Sequence, residues 1–181
     1  MNLSELIKIR QSVRSYSDKP VEQEKLELCL EAARLAPSAS NSQPWKFIIV
    51  DNKELKNKVA DATFDPVVRF NKFALQAPVI IVIVLEKPKL VTQMGAEIKK
   101  REWPLIDIGI TAEHFCLQAA ELGLGSCMIG WFNQKKIQEL LNIPAEKTIG
   151  LLITLGYAPD DYALRKKIRK SSSEVISNNK Y

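Results

Sequence analysis

Arginine, serine and arginine alternate in Arg10-Gln11-Ser12-Val13-Arg14. In extended backbone, alternate side chains point the same way, so Arg10, Ser12 and Arg14 can share one face. Two guanidinium groups, each a planar bidentate fork, and a hydroxyl make a phosphate clamp. The far end of the chain carries similar chemistry. Arg165, Lys166, Lys167, Arg169 and Lys170 place five bases in six positions with no acid. The formal charge is +5, from 26 basic and 21 acidic residues. Without that run the chain holds 21 of each and is neutral. One local basic cluster suggests one local anion, such as a phosphate, whereas a nucleic-acid-binding protein spreads a basic face over its surface. Taken singly, the two segments also read as a solvated loop and a solvated basic tail.

Two further segments combine polar donors with tight backbone. Ala36-Pro37-Ser38-Ala39-Ser40-Asn41-Ser42-Gln43-Pro44-Trp45 runs from a helix-like stretch into a strand-like one. Its prolines, serines and asparagine make a rigid, hydrogen-bonding turn, anchored by Trp45. It reads as a binding loop, or more plainly as a helix stop and strand start. Gly123-Leu124-Gly125-Ser126-Cys127-Met128-Ile129-Gly130-Trp131 follows a helix and enters a short extended segment. A dinucleotide fingerprint needs the reverse order, so that reading fails. Gly123 or Gly125 with positive φ would instead cap the helix. His114, the single histidine, and Cys127 lack a third group to orient them as a catalytic pair, and His114 flanks an apolar stripe, partly exposed. Cys29, Cys116 and Cys127 have no Cys-x-x-Cys spacing, which argues against a disulfide framework or a metal site. Reduced thiols fit a cytoplasmic protein. The polar N-terminus is not a signal peptide. The longest apolar run, Val79–Leu85, is too short to cross a membrane.

The elements that must position these residues are legible in part. Residues 3–9 form a short helix, and 15–20 a loop. Residues 22–36 have apolar positions Leu26, Cys29, Leu30 and Ala33 at helical spacing, and Pro37 stops them. Residues 47–50 form a strand, with Asp51-Asn52 capping a short helix beyond. Residues 79–85 and 149–155 are strands apolar on both faces, hence in a sheet between helix layers. Pro104 opens a helix to about residue 122, apolar around much of its circumference through Ile106, Ile110, Leu117 and Ala120. Such a helix is central or lies in an interface. Residues 133–141 form a last helix. Residues 86–104 show little that could build a large lid. The 181 residues make one domain.

In order and spacing, the motifs resemble the nitroreductase family of FMN-dependent oxidoreductases. The likeness rests on Arg-x-Ser-x-Arg at residues 10–14, Pro-Ser-x-x-Asn-x-Gln-Pro-Trp at 37–45, Gly-Leu-Gly-Ser-Cys-x-Ile-Gly at 123–130, and Lys-x-Arg at 167–169. The resemblance implies an α+β, three-layer fold with a mainly antiparallel sheet between helices. It implies an intertwined homodimer with two FMN sites at its interface. Residues 165–181 would cross to the partner and complete site and dimer. By this likeness Arg10, Gln11, Ser12 and Arg14 contact the ribityl phosphate and flavin edge. Pro37, Ser38, Ala39 and Asn41 reach the partner's flavin. Ile129, Gly130 and Trp131 lie against the ring, with a backbone N–H donated to flavin N5. Lys167 and Arg169 hold the phosphate, leaving Arg165, Lys166 and Lys170 mostly solvated. Ser171 stands where the family commonly has proline. Asn71 is where some members pair an amide with the pyrimidine edge, though a polar helix end is the plainer reading.

The chemistry implied is ping-pong: NAD(P)H delivers hydride to N5, then an electron-poor acceptor such as a nitroaromatic or quinone is reduced. The cofactor does the bond chemistry, so no catalytic side chain is required. Neither the acceptor nor the choice between NADH and NADPH is written in the sequence. Two other classes fit less of it: a flavin store or sensor with little turnover, and an anion- or nucleic-acid-binding domain using residues 165–170.

Overall fold

The computed structural model describes residues 1–67 and 69–181. Four strands form one antiparallel sheet: β1 (Trp45–Val50), β2 (Val79–Leu85), β3 (Gly125–Ile129) and β4 (Ile149–Gly156), in the order β1-β2-β4-β3. Helices α1 (Leu3–Ile9), α2 (Gln23–Arg34), α3 (Lys53–Asp61), α4 (Leu90–Lys99), α5 (Trp103–Glu121), α6 (Gln134–Leu141) and α7 (Ser172–Val175) accompany it.

The sheet is the middle of three layers, and β2 shows why. Its side chains alternate across the sheet plane. Ile80, Val82 and Val84 join a core with Val59 and Ala60 of α3 and Ile137 of α6. Val79, Ile81 and Ile83 join a second core with Cys29 and Ala33 of α2 and Ile108, Ala112 and Phe115 of α5. Both faces are covered, so an apolar, β-branched run is what the position requires.

Local chemistry sets most boundaries. Asn2 caps α1 in a reciprocal capping box with Glu5. Asn52 accepts from the Leu55 N–H to start α3, and Asn133 from the Lys136 N–H to start α6. Helix α5 ends in a Schellman turn: Leu124 N–H donates to the Ala119 carbonyl and Gly123 N–H to the Ala120 carbonyl, with Gly123 at φ +76°. Gly123 is therefore the capping glycine. Gly125 serves another need, because a Cβ there would sit 2.7 Å from Val13 Cγ2.

One sequence expectation is corrected and two are filled in. β1 begins at Trp45, two residues earlier than the apolar run suggested. The segment before α5 is not bare, since α4 gives it ten helical residues. That helix is hard to read because no side chain caps its start and only Thr92 is buried, while Leu90, Val91, Met94 and Ile98 face outward. α5 is central, but its circumference is not uniformly covered: Ile110, Leu117 and Ala120 are half-buried, and Leu105 and Ile106 are exposed. Among the described residues no helix is long and apolar enough to cross a membrane.

Candidate functional site

The chain's two ends meet beside β3. The arm at residues 10–14 is extended, and Ser12 forms a parallel bridge with Ser126, with Val13 N–H donating to the Ser126 carbonyl at 2.9 Å. Val13 is buried, which turns its neighbours Ser12 and Arg14 outward. Tyr16 pins the arm to the core, with its hydroxyl 2.7 Å from Thr154 Oγ1 and donating to the Val13 carbonyl. Burial raises the Tyr16 phenol well above its ordinary range, so it stays neutral.

The tail lies along this arm. Arg14 N–H donates to Tyr162 Oη at 2.9 Å. Gln11 Nε2 donates to the Ala163 carbonyl at 3.3 Å, and its Oε1 accepts from Arg165 N–H at 3.1 Å. The Arg165 guanidinium donates to the Ser12 carbonyl, and Lys167 Nζ to the Arg10 carbonyl. Arm and tail enclose a cleft of about 370 Å³ lined by Arg10, Gln11, Ser12, Arg14, residues 165–168 and Arg169. Its walls carry six basic side chains and no acidic one. Glu113 balances Arg10 from outside, 3.4 Å from its Nε. Desolvation pushes the Lys167 ammonium below its ordinary range, and Arg10 and Arg169 push it further. An anion in the cleft would reverse the charge part of that shift.

The expected phosphate residues Arg10, Ser12, Arg14, Lys167 and Arg169 are thus brought together. Gln11 is a strap between arm and tail. Arg165 is exposed, as expected, yet it also clasps Gln11 and Ser12. The sequence carried no signal for this, because the partners lie more than 150 residues away.

Gly130 follows β3 at the surface, and nothing lies within 4 Å of where its Cβ would be. Its backbone is open to a ligand. Ile129 before it is buried and Trp131 after it is half exposed. Asn71 is buried, and its Nδ2 donates to the Thr63 carbonyl at 3.1 Å and the Trp131 carbonyl at 3.2 Å. Its amide donors therefore brace the Gly130 loop and do not point outward.

The loop at residues 37–44 stands apart from the basic cleft's lining. Ser40, Asn41 and Gln43 all have φ near +50°, a left-handed conformation that side chains disfavour. Pro37 is exposed, and Ser38 Oγ accepts from Gln43 N–H at 2.9 Å. Ala39 N–H is taken by Asp107 of α5. From α4, Thr92 Oγ1 lies 2.7 Å from Ser42 Oγ. Asp107 and Thr92 were not singled out in the sequence. An acid set directly between Ile106 and Ile108 in the most apolar part of the helix is the signal that could have found Asp107.

The other chemical candidates separate. His114 Nδ1 lies 3.3 Å from the Ala32 carbonyl on α2, while Cys127 Sγ is 3.6 Å from the Met128 carbonyl, so no catalytic pair forms. Burial raises all three thiols, Cys29 and Cys116 to about 12. Among the described residues no group of three or more His, Cys, Asp or Glu could hold a metal ion.

Comparison with known proteins gives the family and the fold. The Nitroreductase family profile matches residues 7–157. A protein of Archaeoglobus fulgidus is 34% identical over 160 residues, covering 86% of this chain and 85% of its own. The oxygen-insensitive NADPH nitroreductase of Helicobacter acinonychis is 29% identical, with 85% of each chain covered. Among solved structures, a nitroreductase family protein from Clostridium difficile 630 superposes with a TM-score of 0.81 at 30% identity, covering all of both chains. An FMN-dependent nitroreductase from Clostridium difficile R20291 superposes with a TM-score of 0.75 at 31% identity, covering 99% of this chain and 100% of its own.

Proposed function

Because the chain belongs to the nitroreductase family, we propose that it is an FMN-dependent oxidoreductase that draws electrons from NAD(P)H and reduces an electron-poor acceptor such as a nitroaromatic or quinone. The observation that carries this reading is the cleft between arm and tail. A phosphate monoester brings close to two negative charges and three acceptor oxygens. Arg10, Arg14, Lys167 and Arg169 supply charge-assisted donors and Ser12 a hydroxyl, with no carboxylate in the lining to repel it. The donor set fits the group.

Arg10, Ser12, Arg14, Lys167 and Arg169 would hold the phosphate. Gly130 and Trp131 would lie along the ring, with the Gly130 backbone free to approach it. Bound there, FMN supplies reversible two-electron hydride chemistry, which a chain with one histidine and no triad cannot supply itself. The protein's part is to bind, orient and shield. Asn71 holds the Gly130–Trp131 turn, and Tyr16 holds the arm.

The working form is a homodimer with shared sites. The tail leaves the body with Ile168, Val175 and Ile176 exposed, and α1 exposes Leu3 and Ile7. Apolar side chains left uncovered on a tail and a terminal helix suit a second copy. In that dimer the loop of residues 37–41 would serve the partner's flavin.

The test is the visible spectrum of the purified protein, with release of FMN on denaturation checked by mass. Steady-state oxidation of NADH and NADPH with a nitroaromatic or quinone should give parallel double-reciprocal lines. A colourless protein that also fails to bind added FMN would sink the reading. Bound flavin that neither nucleotide bleaches anaerobically would leave a store or sensor.

A further inference from the structure

The loop at residues 37–44 is held in an unfavourable shape from one side. Three of its residues, Ser40, Asn41 and Gln43, are left-handed without being glycine. Such a conformation is costly for a residue with a Cβ and persists only where its surroundings impose it. What imposes it is visible. Asp107, 3% exposed in α5, accepts the Ala39 N–H with both oxygens, at 3.1 and 3.3 Å. A buried carboxylate is expensive in an apolar helix, and Asn or Ser could also accept from one N–H. Among the described residues Asp107 has no cationic partner within salt-bridge reach, so ion pairing does not explain it.

The consequence lies in which donors remain. Asn41 N–H goes to the Ser38 carbonyl, Ser42 N–H to the Ala39 carbonyl and Gln43 N–H to Ser38 Oγ. With Ala39 N–H on Asp107, the Ser40 N–H and hydroxyl and the Asn41 Nδ2 take no hydrogen-bond partner among the described residues. They sit at the crest of the left-handed turn.

We propose that Asp107 is a positioning residue: its buried carboxylate locks the residue 39–43 turn so that Ser40 and Asn41 present their free donors to the flavin ring. This rests on the FMN reading above and adds a residue to it. It also removes the Ala39 N–H from the set available to the ring.

The experiment compares Asp107→Ala, Asp107→Asn and Thr111→Val in the full chain. Thr111 is the control, because it lies one turn along the same buried face and donates to the Ala33 carbonyl at 2.6 Å. FMN and riboflavin are titrated into each, and exchange of the 39–43 amides is followed. Asp107→Ala should weaken both flavins by about ten-fold, because the loop addresses the ring and not the phosphate. Asp107→Asn, which keeps one acceptor, should recover part of the loss. Thr111→Val should lower stability and leave both affinities unchanged.

The proposal is overturned if Asp107→Ala binds both flavins like the wild type, or if Thr111→Val reproduces its loss. If Asp107→Ala does not fold, Asp107→Asn decides. Weaker binding of both flavins with faster Ala39 exchange supports the lock, and no change in either overturns it. A wild type that binds no flavin defeats the functional reading itself, which separates the two failures.

Discussion

Arg10 and Arg169 carry the sharpest residue-scale prediction. Each faces the same cleft, and each charge-assisted bond to a phosphate contributes on the order of 1.5–3 kcal/mol. Arg10→Ala or Arg169→Ala should therefore weaken FMN binding by roughly ten- to a hundred-fold and leave riboflavin nearly unchanged. Lys170→Ala, outside the lining, should do little. Arg165→Ala should cost a few-fold for FMN, because it releases the tail from Gln11 and Ser12. Flavin titration reads all four, and equal losses for FMN and riboflavin would mean that the bases act through folding. The thiols give a pH prediction. Burial takes Cys29 and Cys116 from an ordinary 9.0 to about 12. A group raised on folding lends stability that is full below its unfolded value and lost as pH climbs through the folded one. The melting temperature should hold up to about pH 8 and fall from about pH 9 upward. At pH 8 a thiol reagent should leave Cys29 and Cys116 unlabelled until the chain unfolds.

At the scale of elements, β3 matters because the arm is laid on it. Gly125 leaves the space that Val13 fills, and an added Cβ would meet Val13 Cγ2 at 2.7 Å and Val13 Cβ at 2.9 Å. Neither neighbour is the far end of a flexible side chain. Gly125→Ala should cost about 1–3 kcal/mol as an overpacked core. It should also shift Ser12 and Arg14 and so weaken FMN more than riboflavin. Thermal unfolding and flavin titration check the two effects, and a variant as stable as the wild type would show that the arm moves freely. Helix α4 belongs at this scale too. Its buried Thr92 is tied to Ser42, so it backs the strained loop while its other face stays bare.

At the scale of the molecule, the tail is the informative part. From residue 163 onward every residue except Lys167 is exposed. A segment without a core of its own persists by contact with something else. Sedimentation should show two chains. Removing residues 164–181 deletes Lys167 and Arg169 together with Ile168, Val175 and Ile176. The shortened chain should lose FMN and shift toward monomer. A truncated dimer that kept stoichiometric FMN would show that the tail serves neither the site nor the association.

The sequence by itself determined the class of fold and marked out a candidate anion site. An unbroken β-branched run such as Val79–Leu85 is stable only when covered on both faces, so the three layers follow from composition. Arginines at alternate positions and a lone basic run are visible without coordinates. The loop of residues 37–45 was legible too, because prolines and a tryptophan fix its ends. Only the tertiary structure decided that residues 10–14 and 165–169 form one cleft. Nothing local couples segments more than 150 residues apart. They meet because Ser12 pairs with Ser126 and Tyr162 receives the Arg14 N–H. The same holds for Asp107 and Asn71. As letters, one is a stray acid and the other a helix end. Their roles come from the carbonyls and N–H groups that folding brings to them, and hydrogen bonds of that kind leave no periodicity to read.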